Sequence, residues 1–254
     1  MGYERELNFV RRVSAEAGQL VLGHQARGFA TEIKSDASPV TAADRASEQL
    51  ICRRLEEEFP ADGVLGEEGA MRDTPNGRRW IIDPIDGTRD FVRALPTWGV
   101  MVALEADGEV VAGACNLAAL GELYSAAKGL GAFCNETRIH CAPPKPPDQA
   151  VLCLNTFNNL VGRPFTPKLL PWLEQFWAVR SLGGCMDAMA VASGRADAWI
   201  EVSAKEWDLA PLKIIAEESG ARFFNFNGGT SIYGGNCVIT IPALEDHIRR
   251  FIND

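Results

Sequence analysis

The chain has little with which to staple itself or to hold a soft metal. Its seven cysteines (52, 115, 134, 141, 153, 185, 237) are scattered without a CxxC pair, and it has three histidines. The first absence excludes a disulfide framework, so the cysteines are expected as buried small hydrophobes. The second excludes a zinc constellation. No stretch approaches the ~20 apolar residues that a membrane helix needs. The opening MGYERELNFVRR is charged throughout and has no apolar signal core, so a cytoplasmic setting is expected. Basic residues are also short. The 25 Lys and Arg stand against 34 Asp and Glu, a formal net charge of −9. Such a chain repels a phosphate backbone, which argues against sequence-independent nucleic-acid binding and against a nuclease groove. It repels a small phosphate ester for the same reason, unless its acidic residues hold cations.

What is present is the mix of an ordinary globular protein. Charged residues make up 23% and hydrophobic ones 46% of 254 residues. That excludes a disordered chain, a collagen and a coiled coil. The length suits one large domain or two modest ones, with enough core to need no staples. Apolar residues at helical spacing predict a helix from Arg5 to about Ala26. Thr41 reads as the N-cap of a second, from about Ala42 to Phe59. Short strands are expected at Val64-Leu65 and at Trp80-Ile81-Ile82, the latter stopped by Asp83-Pro84. Residues 97–106 and 109–117 read as a hairpin turning at Ala106-Asp107-Gly108, with a further strand at Glu122–Ala127. The prolines of CAPPKPPDQA at 141–150 mark the best boundary. It divides the chain into an α+β part, 1–143, and a smaller α/β part, 148–254. In the second part, strands at 151–155, 179–182, 221–226 and 237–240 alternate with helical stretches at 167–177, 186–193, 208–219 and 243–252.

Three acidic clusters interrupt apolar context: Gly66-Glu67-Glu68-Gly69, Asp83-Pro84-Ile85-Asp86-Gly87-Thr88, and Glu206-Trp207-Asp208. The second is the informative one. A buried strand delivers Asp83, Pro84 forces a turn, Asp86 follows, and Gly87-Thr88 opens a short helix. Two carboxylates, a hydroxyl and free helix amides then share a small volume. Carboxylates this close repel unless a cation sits between them. Oxygen donors without His or Cys suit Mg²⁺, and helix N-termini favour phosphate. Taken alone, an ordinary Asp-Pro turn accounts for this cluster equally well, and solvated acids account for the other two.

Together, and in this order, the clusters resemble the inositol monophosphatase family, the magnesium-dependent, lithium-sensitive phosphomonoesterases. The matching residues are Asp44 in PVTAAD, Gly66-Glu67-Glu68, Asp83-Pro84-Ile85-Asp86-Gly87-Thr88 and Trp207-Asp208. The resemblance implies a layered α-β-α-β-α sandwich of the sugar-phosphatase type, two or three Mg²⁺ ions and a homodimer. It implies metal ligation by Glu67, Asp83, the Ile85 carbonyl, Asp86 and Asp208, with Glu68 supporting the outer shell. Glu67 and Thr88 would orient the attacking water, and Asp44 would hold Thr88. The backbone of Gly87 and Thr88 would bind phosphate. Lys34 would lie on a loop that closes the site.

The substrate is expected to be a small phosphate monoester such as inositol 1-phosphate or a similar polyol or sugar phosphate. Its alcohol would meet Asp208, the turn Gly183-Gly184-Cys185 and Glu201, which in inositol phosphatases holds ring hydroxyls. Arg89-Asp90-Phe91, where inositol phosphatases show Thr-Asn-Phe, is more similar to the histidinol-phosphatase or the bisphosphate-nucleotidase branch, and Asp36-Ala37-Ser38-Pro39 is more similar to the histidinol-phosphatase branch. A 3′-phosphonucleotide is the third reading. A non-catalytic relative would have lost one of Glu67, Asp83, Asp86, Thr88 or Asp208; all are present.

Overall fold

The protein is described here from a computed structural model, which places residues 2–28, 31–33, 39–73, 75–155 and 157–253. Lys34 and Asp36–Ser38 lie outside the described residues. In chain order the first elements are α1 (Glu4–Arg27), β1 (Thr31–Ile33), β2 (Pro39–Thr41), α2 (Ala42–Glu58), β3 (Gly63–Gly66), β4 (Met71–Arg72) and β5 (Arg78–Asp86). Then come α3 (Thr88–Val92), β6 (Gly99–Ala106), β7 (Glu109–Leu117), β8 (Glu122–Ala127), β9 (Gly131–Cys134) and β10 (Thr137–Ile139). After the proline segment follow β11 (Val151–Leu154), α4 (Leu169–Leu173), β12 (Ala178–Arg180), α5 (Gly184–Ala192), β13 (Ala198–Glu201), α6 (Glu206–Glu218), β14 (Arg222–Phe224), β15 (Cys237–Thr240) and α7 (Glu245–Asn253).

Local chemistry explains the boundaries. On α1, Val10, Val13, Ala17 and Val21 recur every three or four residues and form the buried face. Acids in its first turn and His24 and Arg27 in its last complement the helix dipole. Thr41 caps α2: its hydroxyl accepts from Ala43 N at 3.1 Å, while Asp44 Oδ2 accepts from Thr41 N at 2.8 Å. Asp107 and Gly108 both take positive φ, the two-residue turn that joins β6 to β7.

Strands β10-β9-β8-β7-β6-β5-β3-β4 form one sheet, antiparallel except where β3 runs parallel to β5. Strands β12-β11-β13-β15-β14 form the second, parallel through β13 and antiparallel beyond it. The sheets are buried on both faces. Trp80, Ile82, Val100 and Val102 face α1 and α2. Ile81, Met101 and Ala103 face the other way, onto α5 and α6. The opposite side of α5 and α6 meets Trp199 and Ile239 of the second sheet, whose outer face carries α4 and α7 through Trp172, Ile248 and Phe251. The order is α-β-α-β-α, five layers, and the middle core draws residues from both halves of the chain.

Two sequence expectations need correction. Strand β5 does not stop at Asp83-Pro84 but runs to Asp86. Asp83 pairs with Met101 and Asp86 with Gly99, with a register shift between them. The missing N–H of Pro84 falls in that irregularity, where a proline is tolerated. The helix expected over 167–177 shrinks to α4 with a 3₁₀ turn before it, because Pro167 and Pro171 remove amides from that run. The hairpin β9-β10 was not foreseen; Asn135, at positive φ, makes its turn.

Candidate active site

Strands β5 and β13, helices α3, α5 and α6 and the loops between them converge on one cavity of about 540 Å³. Strand β5 contributes Asp83, Ile85 and Asp86. The Asp83 side chain folds back on its own strand, accepting from Ile85 N at 3.0 Å. The shift in register after Asp83 re-aims Asp86 toward the second half of the chain. There Asp86 Oδ2 accepts from Cys185 N at 2.9 Å. Gly87 then takes φ +81 and turns the chain into α3; a Cβ on it would stand 3.4 Å from the Trp98 backbone. Thr88 Oγ1 lies 3.1 Å from the Ile85 carbonyl and 3.4 Å from Asp44 Oδ1. Asp44 thus serves two elements, with Oδ2 capping α2 and Oδ1 facing Thr88.

Glu67 leaves the end of β3 beside β5, its N–H donating to the Ile82 carbonyl at 3.1 Å. The loop that carries it is held from below. Buried Glu48 on α2 accepts from Glu68 N and from Ala70 N, each at 2.9 Å. A Cβ on Gly66 would run into Glu48 Oε2, so a side chain there displaces Glu48 or the loop. From the other half, Asp208 sits in the first turn of α6 and caps it, accepting from Lys205 N at 2.7 Å.

Asp83, Asp86 and Asp208 each bring an oxygen within 4.8 Å of the others. Glu67 and Asp208 come within hydrogen-bonding distance of Asp83. Burial, then the charges of Glu67, Asp86 and Asp208, hold the Asp83 carboxyl well above its usual range. Burial and the Asp86 charge push Asp208 up to about 8. Burial also raises Asp86, although Cys185 pulls the other way. Asp83, Asp86 and Asp208 at this separation, with Glu67 beside them, cannot all ionise at neutral pH without a cation among them; without one, some stay protonated. The donor set is all oxygen, the chemistry that fits a hard divalent cation.

The opposite wall is the turn after β12. Gly183 takes φ +125, open in practice only to glycine, and a Cβ there would crowd Thr97 and Asp90 at 3.1 and 3.2 Å. Gly184 passes 3.2 Å from Asp86 Oδ2 by the same measure. Glu201 ends β13, is buried, and accepts from Ser203 N at 3.0 Å. Sequence reasoning passed over Thr97 and Asn155, which also line the cavity. Thr97 Oγ1 donates to Asp90 Oδ2 at 2.6 Å. It also passed over Glu48, whose only signal is its place one turn after Asp44. Arg89 is exposed at the rim, and Glu68 lies behind the cavity wall, its N–H donating to Glu48 Oε2 at 2.9 Å.

Fold and cavity define a five-layered α/β protein with a carboxylate-lined cleft between its sheets. The family model for the inositol monophosphatase family matches residues 3–252, and the chain belongs to that family. Its class is that of the metal-dependent hydrolases of phosphate monoesters. The chain is 36% identical over 236 residues to a histidinol-phosphatase of Chlorobaculum parvum, covering 92% of this chain and 91% of the relative. It is 33% identical over 238 residues to an inositol-1-monophosphatase of Rhizobium meliloti, with 89% and 88% covered. Among solved structures, the inositol monophosphatase TM1415 of Thermotoga maritima superposes with a TM-score of 0.89 at 28% identity, over 98% of this chain and 97% of that one. No helix among the described residues is long and apolar enough to cross a membrane.

Proposed function

We propose that this cavity hydrolyses a small phosphate monoester of the inositol 1-phosphate or polyol-phosphate kind. Glu67, Asp83, the Ile85 carbonyl, Asp86 and Asp208 hold Mg²⁺ in this reading, as two or three ions. The observation that carries it is the meeting of Asp83, Asp86 and Asp208, two from β5 and one from α6, within 4.8 Å. When bound, the metal supplies a water of lowered pKa and neutralises charge on the attacking and leaving oxygens.

The chain's own residues do the positioning. Thr88 Oγ1 and Glu67 orient the attacking water, and Asp44 steadies Thr88. The Gly87 and Thr88 backbone cradles the phosphate. Asp208, Gly183, Gly184, Cys185 and Glu201 meet the alcohol, with the Glu201 carboxylate accepting from its hydroxyls. No covalent intermediate is needed. The Cys185 thiol, hydrogen-bonded to Cys115 and buried beside Asp86, is held well above the usual thiol range and stays protonated, which makes it a poor nucleophile.

Histidinol phosphate is the second reading. The 36% identity to a histidinol-phosphatase favours it, and so does Asp90, an added carboxylate on the cavity wall that suits a cationic alcohol. The test is phosphate release with Mg²⁺ and with chelator from inositol 1-phosphate, histidinol phosphate and a 3′-phosphonucleotide. A hundredfold lead in kcat/KM for one ester, roughly 2.7 kcal/mol, decides among them. No release from any of them overturns the proposal. The homodimer expected from the resemblance and the cytoplasmic setting expected from the charged opening segment belong to the same proposal, and sedimentation of the purified chain tests the first.

A further inference from the structure

One buried carboxylate near the cavity does none of this work directly. Asp187, in the first two turns of α5, is completely buried. Its two oxygens reach back along the chain: Oδ1 accepts from Leu182 N at 3.0 Å and Oδ2 from Gly183 N at 3.3 Å. The Cys153 thiol of β11 lies beside the same carboxylate. Burial nevertheless pushes its carboxyl up to about 6, so the site holds it at a cost in stability.

The two amides that Asp187 grips belong to the turn that walls the cavity. That turn is held at its other end by the Cys185 N–H to Asp86 bond of 2.9 Å. Between the two holds, Gly183 and Gly184 pass so close to Thr97, Asp90 and Asp86 that a side chain on either would crowd them. A shift of the turn therefore acts first on the alcohol-facing wall, because Asp83 on β5 and Thr88 on α3 have their own holds on Ile85. We infer that Asp187 is a positioning residue that fixes the Leu182–Cys185 turn, and through it sets the affinity for the alcohol part of the substrate. The inference rests on the phosphomonoesterase reading of the cavity.

Asp187→Asn keeps the volume but meets one of the two amides with its own NH₂. It is expected to raise KM for inositol 1-phosphate, or for the better ester of the panel, tenfold or more. The kcat should fall no more than threefold, and KM for methyl phosphate should change less than twofold, because that ester has no large alcohol to place. Calorimetric binding of inositol 1-phosphate in Ca²⁺ should weaken tenfold as well, a readout that needs no turnover. A carboxylate that only stabilises α5 would leave these ratios alone. An unchanged KM, or equal losses on the large and the small ester, overturns the inference. If Asp187→Asn does not fold, Cys153→Ala removes the thiol beside the carboxylate without touching the turn. It should raise KM for the large ester two- to threefold, and no change there overturns the inference too. Failure of the wild type to release phosphate, with binding still weakened in the variant, removes the function and leaves the positioning role standing.

Discussion

The two walls of the cavity are built from different material. One wall is side-chain oxygen on regular structure: Asp83 and Asp86 on β5, with Glu67 beside them at the end of β3. The other is largely backbone, the Leu182–Cys185 turn, with Glu201 as its main side-chain acid. Each wall is gripped from behind by a buried carboxylate that accepts two backbone amides. Glu48 holds the loop of Glu67, and Asp187 holds the glycine turn. The metal-facing wall crowds like charges that only a cation or protons relieve. The alcohol-facing wall spends its polar groups on shape. In the proposed reading, chemistry belongs to the first wall and selection to the second.

The sharpest way to break the comparison is Asp83→Asn. It removes one charge from the centre of the carboxylate cluster, and turnover with Mg²⁺ should fall a thousandfold or more, about 4 kcal/mol in the barrier. The metal-free protein should keep its fold and melt no lower than the wild type, because a buried repulsion has gone. Calorimetric melting with and without Mg²⁺ checks both halves of this statement.

Asp187→Asn sharpens the comparison through pH. The folded protein holds the Asp187 carboxyl near 6, above the ordinary value of 3.8, and so binds more protons than the unfolded chain between those values. Its contribution to stability is then lost as pH rises from about 4 to about 6. The variant lacks this loss, so its stability relative to the wild type should improve by as much as about 3 kcal/mol between pH 4 and pH 7. Denaturant titrations at the two pH values measure it, and a constant difference would refute the raised carboxyl.

Gly66→Ala attacks the first wall through its support. The new methyl would run into Glu48 Oε2, so Glu48 or the Glu67 loop must move. A loss of about 1–3 kcal/mol in stability is expected, with kcat falling equally for large and small esters. Glu201→Ala is the mildest, at about tenfold or ~1.4 kcal/mol. It should fall on esters with ring hydroxyls and spare methyl phosphate. Equal loss on both would remove Glu201 from the alcohol wall.

The first wall was largely legible in the sequence. Its residues lie in short runs, and each run sets its own local geometry. The cap on Thr41, the positive φ of Gly87 and the start of α3 at Thr88 all follow from neighbours in the chain. The fold's helices α1, α2 and α6 were legible for the same reason. What stayed hidden depends on approach through space. Pro84 read as a strand end because the register shift against β6 that accommodates it involves another strand. Asp187 read as part of a helical stretch, although its partners lie at 153, 182 and 183. Gly234-Gly235-Asn236 carried no signal at all. In the fold, Asn225 Nδ2 donates to the Asn236 carbonyl at 2.6 Å, leaving no room for a side chain on Gly234. The Gly235 carbonyl accepts from Ala204 N at 3.0 Å, just before the helix that carries Asp208.

The most direct test of the account is a calorimetric titration of Mg²⁺ into metal-stripped wild-type protein and into Asp83→Asn. The account predicts saturable binding to the wild type, greatly weakened by the single substitution while the fold persists. Equal binding to both proteins would contradict it, because the cation would then sit somewhere other than among Asp83, Asp86 and Asp208.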